Sequence, residues 1–210
     1  MLDMILTLSD KKPLFEGLTR SVYVHYQNPN YLIKIPTNCW KDKFARFSHF
    51  RRWRKSVDLN TPNTKELAEF MRHFPDQSAC EKHVMQIVGI TATDLGWGLV
   101  VKAEYDAVGN LAKPFDAYKN DMKQYEEQIT DFITWVRQTD FICYDLKFDN
   151  ILLSWRSGQP QLVLIDGIGE NSLFSMRKYS RRFNNFRNRK ELQEFIDSLK
   201  PYIQLPCFDE

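Results

Sequence analysis

The sequence predicts an α+β protein made of two small lobes, strand-rich at the front and helical at the back. Three observations carry this. Short β-type runs separated by turn residues fill residues 14–35 and return at 84–103. Apolar residues then recur at three and four from Pro114 to Thr139, the helical period. Beyond that helix, two short apolar runs are joined by Ser157-Gly-Gln-Pro160 and followed by a helical stretch at 174–199, the mark of a hairpin set among helices. The 210 residues leave room for one compact domain or two such lobes. A 43% hydrophobic share excludes a disordered chain.

In order, Val22-Tyr-Val-His-Tyr26 and Tyr31-Leu-Ile-Lys-Ile35 read as strands around the turn Gln27-Asn-Pro-Asn30. Residues 40–56 alternate bases with Phe44, Phe47, Phe50 and Trp53 at steps of three, which predicts a helix with an aromatic stripe and a basic back. Asn60-Thr-Pro-Asn63 breaks the chain, and 64–74 reads as a second helix, with Glu66, Leu67, Phe70 and Phe74 near one side, ended by Pro75. Val84–Val88 and Gly98–Ala103 read as strands joined by Thr93-Asp-Leu-Gly96. Gly109-Asn110 is the break that sets the lobe boundary, giving an N-lobe of about 1–106 and a C-lobe of about 112–210. In the helix that follows, Tyr118, Met122, Tyr125, Ile129, Phe132, Ile133 and Val136 form the apolar face.

Composition narrows the function classes. No apolar run is long enough to span a bilayer, and the acidic, short front end does not make a signal peptide. Cysteines 39, 80, 143 and 207 form no C-x-x-C pair and the four histidines no metal-ligand spacing, which predicts reduced thiols in a cytoplasmic protein. The net charge of +2 is uneven: residues 41–56 carry +6 and residues 177–190 carry +7, on an otherwise acidic chain. Two basic stripes suit an acidic protein, nucleic acid or an anionic membrane surface, although an amphipathic helix packed on its own lobe gives the same pattern.

The most informative stretch is Cys143-Tyr-Asp145-Leu-Lys147-Phe-Asp-Asn150-Ile-Leu-Leu, followed by the hairpin and Leu162-Val-Leu-Ile-Asp166-Gly. Its Asp, Leu and Asn stand in the register of H-R-D-L-x-x-x-N, and Asp166 stands where D-F-G begins. Phosphoryl transfer needs in-line geometry, cations on the phosphates and a carboxylate near the acceptor hydroxyl. Asp145 is the candidate carboxylate and Lys147 the candidate partner of the transferred charge. Asn150 and Asp166 are candidate Mg²⁺ ligands, offering hard oxygens. D-x-K-x-x-N alone is also what a polar hairpin with an Asx turn produces, so the flanking strands and Asp166 decide for the kinase-like reading. Lys34, in Tyr-Leu-Ile-Lys-Ile, matches the V-A-I-K lysine that holds ATP phosphates. Glu66 is the candidate carboxylate for it, with Glu69 the alternative. In Glu16-Gly17-Leu-Thr19-Arg20-Ser21 one glycine stands where a phosphate loop has three. Gly17, Thr19 and Ser21 are its candidate phosphate contacts, with Arg20 a further donor, and a plain turn is the competing reading.

Lys12-Pro-Leu-Phe-Glu-Gly17, Tyr31-Leu-Ile-Lys34-Ile, Lys65-Glu66-Leu, the Asp145–Asn150 loop and Ile165-Asp166-Gly-Ile-Gly-Glu-Asn-Ser-Leu173 together resemble the YrbL-like family, over about residues 12–200. The resemblance implies small bacterial proteins named for the PhoP regulatory network, a bilobal protein-kinase-like fold with a minimal helical C-lobe, and ATP binding. Asp166-Gly-Ile-Gly lacks the Phe of D-F-G, no A-P-E follows, and 44 residues remain after Asp166. The expected function is an ATP- and Mg²⁺-dependent phosphotransferase acting on a hydroxyl of a small molecule, lipid-sugar or protein Ser/Thr. The alternatives are a nucleotide-binding pseudokinase that signals to a partner and a nucleic-acid-binding protein using the basic stripes.

Overall fold

The structure, a computed structural model, describes residues 5–46, 48, 58–74, 81–156, 158–170 and 176–204. The chain divides into two compact units. Unit 1 takes the described residues of 5–74 together with Gln86–Ala103, and unit 2 takes 81–85, 104–170 and 176–204. The architecture is α+β, with an antiparallel sheet first and the helices gathered later.

Unit 1 is a five-stranded antiparallel sheet in the order β1-β2-β3-β5-β4. Its strands are β1 (Phe15–Glu16), β2 (Arg20–Val24), β3 (Tyr31–Pro36), β4 (Ile87–Thr93) and β5 (Gly96–Lys102). β-Branched Ile33, Ile35, Thr91 and Val101 suit these strands. Ile33 and Ile35 are buried with Leu6, Leu8 and Tyr23 on one face of the sheet. Burying each such side chain contributes roughly 1.5–3 kcal/mol. Lys34, between the two isoleucines, takes the other face because side chains alternate along a strand. Helix α1 (Asn38–Ala45) is capped by Thr37, whose hydroxyl accepts from the Trp40 amide at 3.1 Å. Helix α2 (Thr61–His73) carries Pro62 in its first turn, where a missing N–H costs nothing.

Unit 2 opens with a 3₁₀ stretch, Phe115–Tyr125, that leads into helix α3 (Glu126–Gln138). A two-stranded ribbon follows, of β6 (Ile151–Arg156) and β7 (Gln159–Leu164), then helices α4 (Met176–Tyr179) and α5 (Arg181–Leu199). Phe132 packs on Phe195 of α5, and Phe148 on Phe115, Phe195 and Tyr202, at centroid distances of 5.6–6.3 Å. Arg156 pairs with buried Glu104 and donates to the carbonyls of Glu81, Lys82 and Val84, stapling residues 81–84 to the ribbon.

Four sequence expectations are corrected. The strand expected at Val84–Val88 lies at Ile87–Thr93, because Val84 and Met85 instead bridge to Leu164 in unit 2. The single helix expected over 114–139 is 3₁₀ from Phe115 to Tyr125, with Tyr118 outside helical geometry, and is α-helical only from Glu126 to Gln138. The second helix begins at Thr61 and not at 64. The helix expected over 174–199 is interrupted at Ser180, which caps α5 by accepting from the Phe183 amide. Of the helix expected over 40–56, α1 accounts for residues up to Ala45, and most of the remainder lies outside the described residues.

Candidate functional site

In unit 1 the register sets the geometry. Lys34 lies opposite Val22, and Arg20 opposite Pro36, so Lys34 and Arg20 are diagonal neighbours on one sheet face. Helix α2 meets that face with its first turns. The Glu66 carboxylate, 1% exposed, accepts from Lys34 Nζ on Oε2 at 3.1 Å and from Arg20 on Oε1 at 2.6 Å. One turn earlier, the Asn63 amide donates to the Lys34 carbonyl at 3.1 Å and the Trp97 carbonyl at 3.3 Å. Glu66 is therefore the carboxylate that pairs with Lys34, while Glu69 holds Arg72 and His73. Gly17 donates to the Arg20 carbonyl at 2.9 Å in the turn linking β1 to β2. The Thr19 carbonyl accepts from the Thr37 amide. Ser21 lies inside β2, buried, opposite Glu16 and Ile35.

In unit 2 the loop and the ribbon assemble the other candidates. Pairing of Ile151 with Leu164 brings the end of β7 beside the start of β6, and the Ile165 amide donates to the Asn150 carbonyl at 2.8 Å. Asn150 and Asp166 thus stand at the same end of the ribbon. The loop after Asp166 zips onto the loop before Asp145: Tyr144 donates to the Gly167 carbonyl and Gly169 to the Ile142 carbonyl, both at 2.8 Å. Gly167 has φ +79°. A Cβ there would lie 2.8 Å from the Asp145 carbonyl oxygen and 3.0 Å from its Cβ, so only glycine fits this contact.

The Asp145 carboxylate is held on both oxygens. Lys147 Nζ reaches Oδ1 at 2.7 Å and the Asn150 amide reaches Oδ2 at 2.9 Å. Lys147 is exposed and Asp145 half-buried, so the pair adds little stability and serves to orient the carboxylate. Hydrogen bonding to Asp145 raises the Lys147 pKa above its ordinary value, which keeps it cationic. The oxygens of Asn150 and Asp166 are donors of the kind Mg²⁺ takes together with waters and phosphate. Among the described residues, no cluster of three or more His, Cys, Asp or Glu side chains is arranged to hold a metal ion by itself.

Around Asp145 lies a cavity of about 320 Å³. Asp116, Asp149, Glu191 and Glu194 line it with Asp145, and Lys147 is the cation among them. Burial first, and then the Glu194 carboxylate, push the Glu191 pKa above the usual carboxylate range.

Sequence reasoning missed the residues that hold this loop from behind. Arg177 is buried and donates to the Cys143 carbonyl at 2.8 Å, to Asn184 at 3.0 Å and to Asn188 at 2.5 Å. Asn188 accepts from the Cys143 amide and donates to the Phe141 carbonyl. Asn184 donates to the Asp140 carbonyl at 2.9 Å. The sequence signal was present: Asn184, Asn188, Leu192, Phe195 and Leu199 recur at helical spacing, with asparagines on the upper half of the buried face. Arg177 therefore leaves the basic stripe of 177–190 for the interior, while Arg181, Arg182, Arg189 and Lys190 stay exposed. Residues 47 and 49–56 of the first stripe, and Asn171–Leu173 of the motif after Asp166, lie outside the described residues.

The class of protein is thus an α+β chain with an ion-paired lysine on an antiparallel sheet and an Asp–Lys–Asn loop on a separate ribbon. The chain belongs to the family described as PhoP regulatory network protein YrbL, whose model matches residues 6–200. No curated protein matches the chain. No helix among the described residues is long and apolar enough to cross a membrane.

Proposed function

We propose that the chain is a bilobal, protein-kinase-like phosphotransferase that uses Mg²⁺·ATP on a hydroxyl acceptor in a bacterial regulatory context. The observation that carries the reading is the ribbon register, which sets Asn150 beside Asp166 while Gly167 locks that end of the ribbon onto Asp145. In this reading Lys34, set by Glu66, anchors the α- and β-phosphates. Asn150 and Asp166 hold Mg²⁺, which neutralises phosphate charge when bound. Asp145 takes the proton from the acceptor hydroxyl as its oxygen bonds to the γ-phosphorus and the bond to the ADP oxygen breaks. Lys147 is placed to meet the charge on the transferred group. The carboxylates around the cavity favour a neutral or cationic acceptor over an anionic one.

The test is a melting curve with and without Mg²⁺·ATP, followed by a transfer assay. Ligand at about 100 times its Kd stabilises the fold by ~2.7 kcal/mol. The wild type is expected to shift, Asp166→Ala to lose the shift, and Asp145→Asn to keep the shift but lose transfer. No shift at millimolar ATP removes the nucleotide reading, and transfer by Asp145→Asn at the wild-type rate removes the base assignment. A second reading, a nucleotide-binding pseudokinase, is favoured by the turn at Gly17, where Ser21 is buried in β2 and a single glycine serves. ATP binding without transfer to any acceptor would select it.

A further inference from the structure

We infer that Arg20 is a positioning residue for nucleotide binding: it fixes Glu66 so that its carboxylate is held on Lys34. This rests on the nucleotide reading above. The sequence places Arg20 in the turn that a phosphate loop would occupy, where a guanidinium is expected to meet phosphate. The structure turns it elsewhere. Arg20 is 6% exposed and reaches Glu66 Oε1 at 2.6 Å, while Lys34, 5% exposed, takes Oε2. The two cations thus divide the two carboxylate oxygens, and each fixes the rotamer the other needs.

The same guanidinium reaches the Pro62 carbonyl at 3.3 Å, at the first turn of α2. Asn63 completes the attachment through the Lys34 and Trp97 carbonyls. Helix α2 is therefore tied to β2, β3 and β5 at its N-terminal turns, the part that carries Glu66. A carboxylate on a helix free to swing would have to be recruited to the lysine on each binding event. Here the recruitment is built in, and Arg20 acts on ATP through Glu66 without touching it.

The experiment is a double-mutant cycle on Mg²⁺·ATP affinity, measured by calorimetric titration of the full chain. The variants are Arg20→Met, Glu66→Gln and both together, with Arg20→Lys as the conservative control. Each single change is expected to weaken ATP binding by about tenfold, since contacting residues couple strongly. The double variant is expected to bind no worse than Glu66→Gln alone, and Arg20→Lys to fall between the wild type and Arg20→Met. If Arg20→Met does not fold, Arg20→Lys is read alone and in the Glu66→Gln background, where it must add nothing. Losses that multiply in the double variant would mean that Arg20 meets the nucleotide itself. Wild-type affinity in Arg20→Met would mean that Glu66 needs no holding, and either result overturns the assignment. A wild type that binds no ATP removes the nucleotide reading and this inference together, an outcome distinct from both.

Discussion

The two sets of candidate residues are positioned by opposite means. Lys34, Glu66 and Arg20 sit on regular strands and a helix, nearly fully buried, and their geometry is set by strand register and an ion cluster. Asp145, Lys147 and Asn150 sit on a loop and the single 3₁₀ turn Phe148–Asn150, half-buried or exposed, and their loop is held by main-chain bonds and by polar side chains of α4 and α5. The first arrangement is robust in shape but depends on every charge being present. The second tolerates loss of a charge but depends on the backbone staying where it is.

Three measurements sharpen or break that contrast, from the largest effect to the smallest. Glu66→Ala leaves two buried cations without their shared carboxylate and is expected to cost about 3–5 kcal/mol in denaturant unfolding. A loss under ~1 kcal/mol would show that the cluster does not hold unit 1. Gly167→Ala forces a Cβ against Asp145 at a positive φ and is expected to cost about 2–4 kcal/mol. Its spectroscopic signature should appear in the aromatic cluster around Phe148, and a neutral result would unseat the claim that backbone fit positions this loop.

The third is a pH effect. Burial lowers the His83 pKa despite the Asp131 carboxylate at 3.2 Å, and His83 Nδ1 is bonded to the Leu162 carbonyl at 2.8 Å. The native state therefore binds fewer protons than the unfolded state once the pH falls below the ordinary imidazole value of about 6.5. Stability should be full above that value and decline through the acidic range, and His83→Gln should flatten the decline. A curve unchanged by the substitution would assign the acid sensitivity to other groups.

Much of this was legible in the sequence because it rests on local spacing. The β-type run Tyr31–Ile35 marked Lys34 as a strand lysine, and the Asp145–Asn150 spacing with its two apolar runs gave the ribbon. The Lys34–Glu66 pairing was reachable as one of two choices, since Glu66 and Glu69 share the helix and only packing separates them. The role of Arg20 was not reachable, because a turn arginine looks alike whether it faces phosphate or a carboxylate 46 positions away. Arg177 was hidden by its neighbours: seven bases in fourteen residues read as a surface, while one of them fills a polar interior. The break at Tyr118 lay below the resolution of periodicity, since apolar positions three apart suit a 3₁₀ turn as well as an α-helical one.

The Arg156 staple has a consequence for how the molecule can be dissected. Residues 81–84 lie between α2 and β4 in the chain, yet the carbonyls of Glu81, Lys82 and Val84 accept from the Arg156 guanidinium and that of His83 from the Leu164 amide, so the polypeptide visits unit 2, returns to unit 1 and leaves again. Severing the gene at the Gly109 turn would ship that short visitor away with the amino-terminal fragment. The carboxy-terminal fragment would keep an arginine without its three carbonyl acceptors and its Glu104 carboxylate, and a ribbon edge without Val84 and Met85. Fragment complementation, with both pieces made in the same cell, is the natural format for studying the halves, and expression of either piece alone is not.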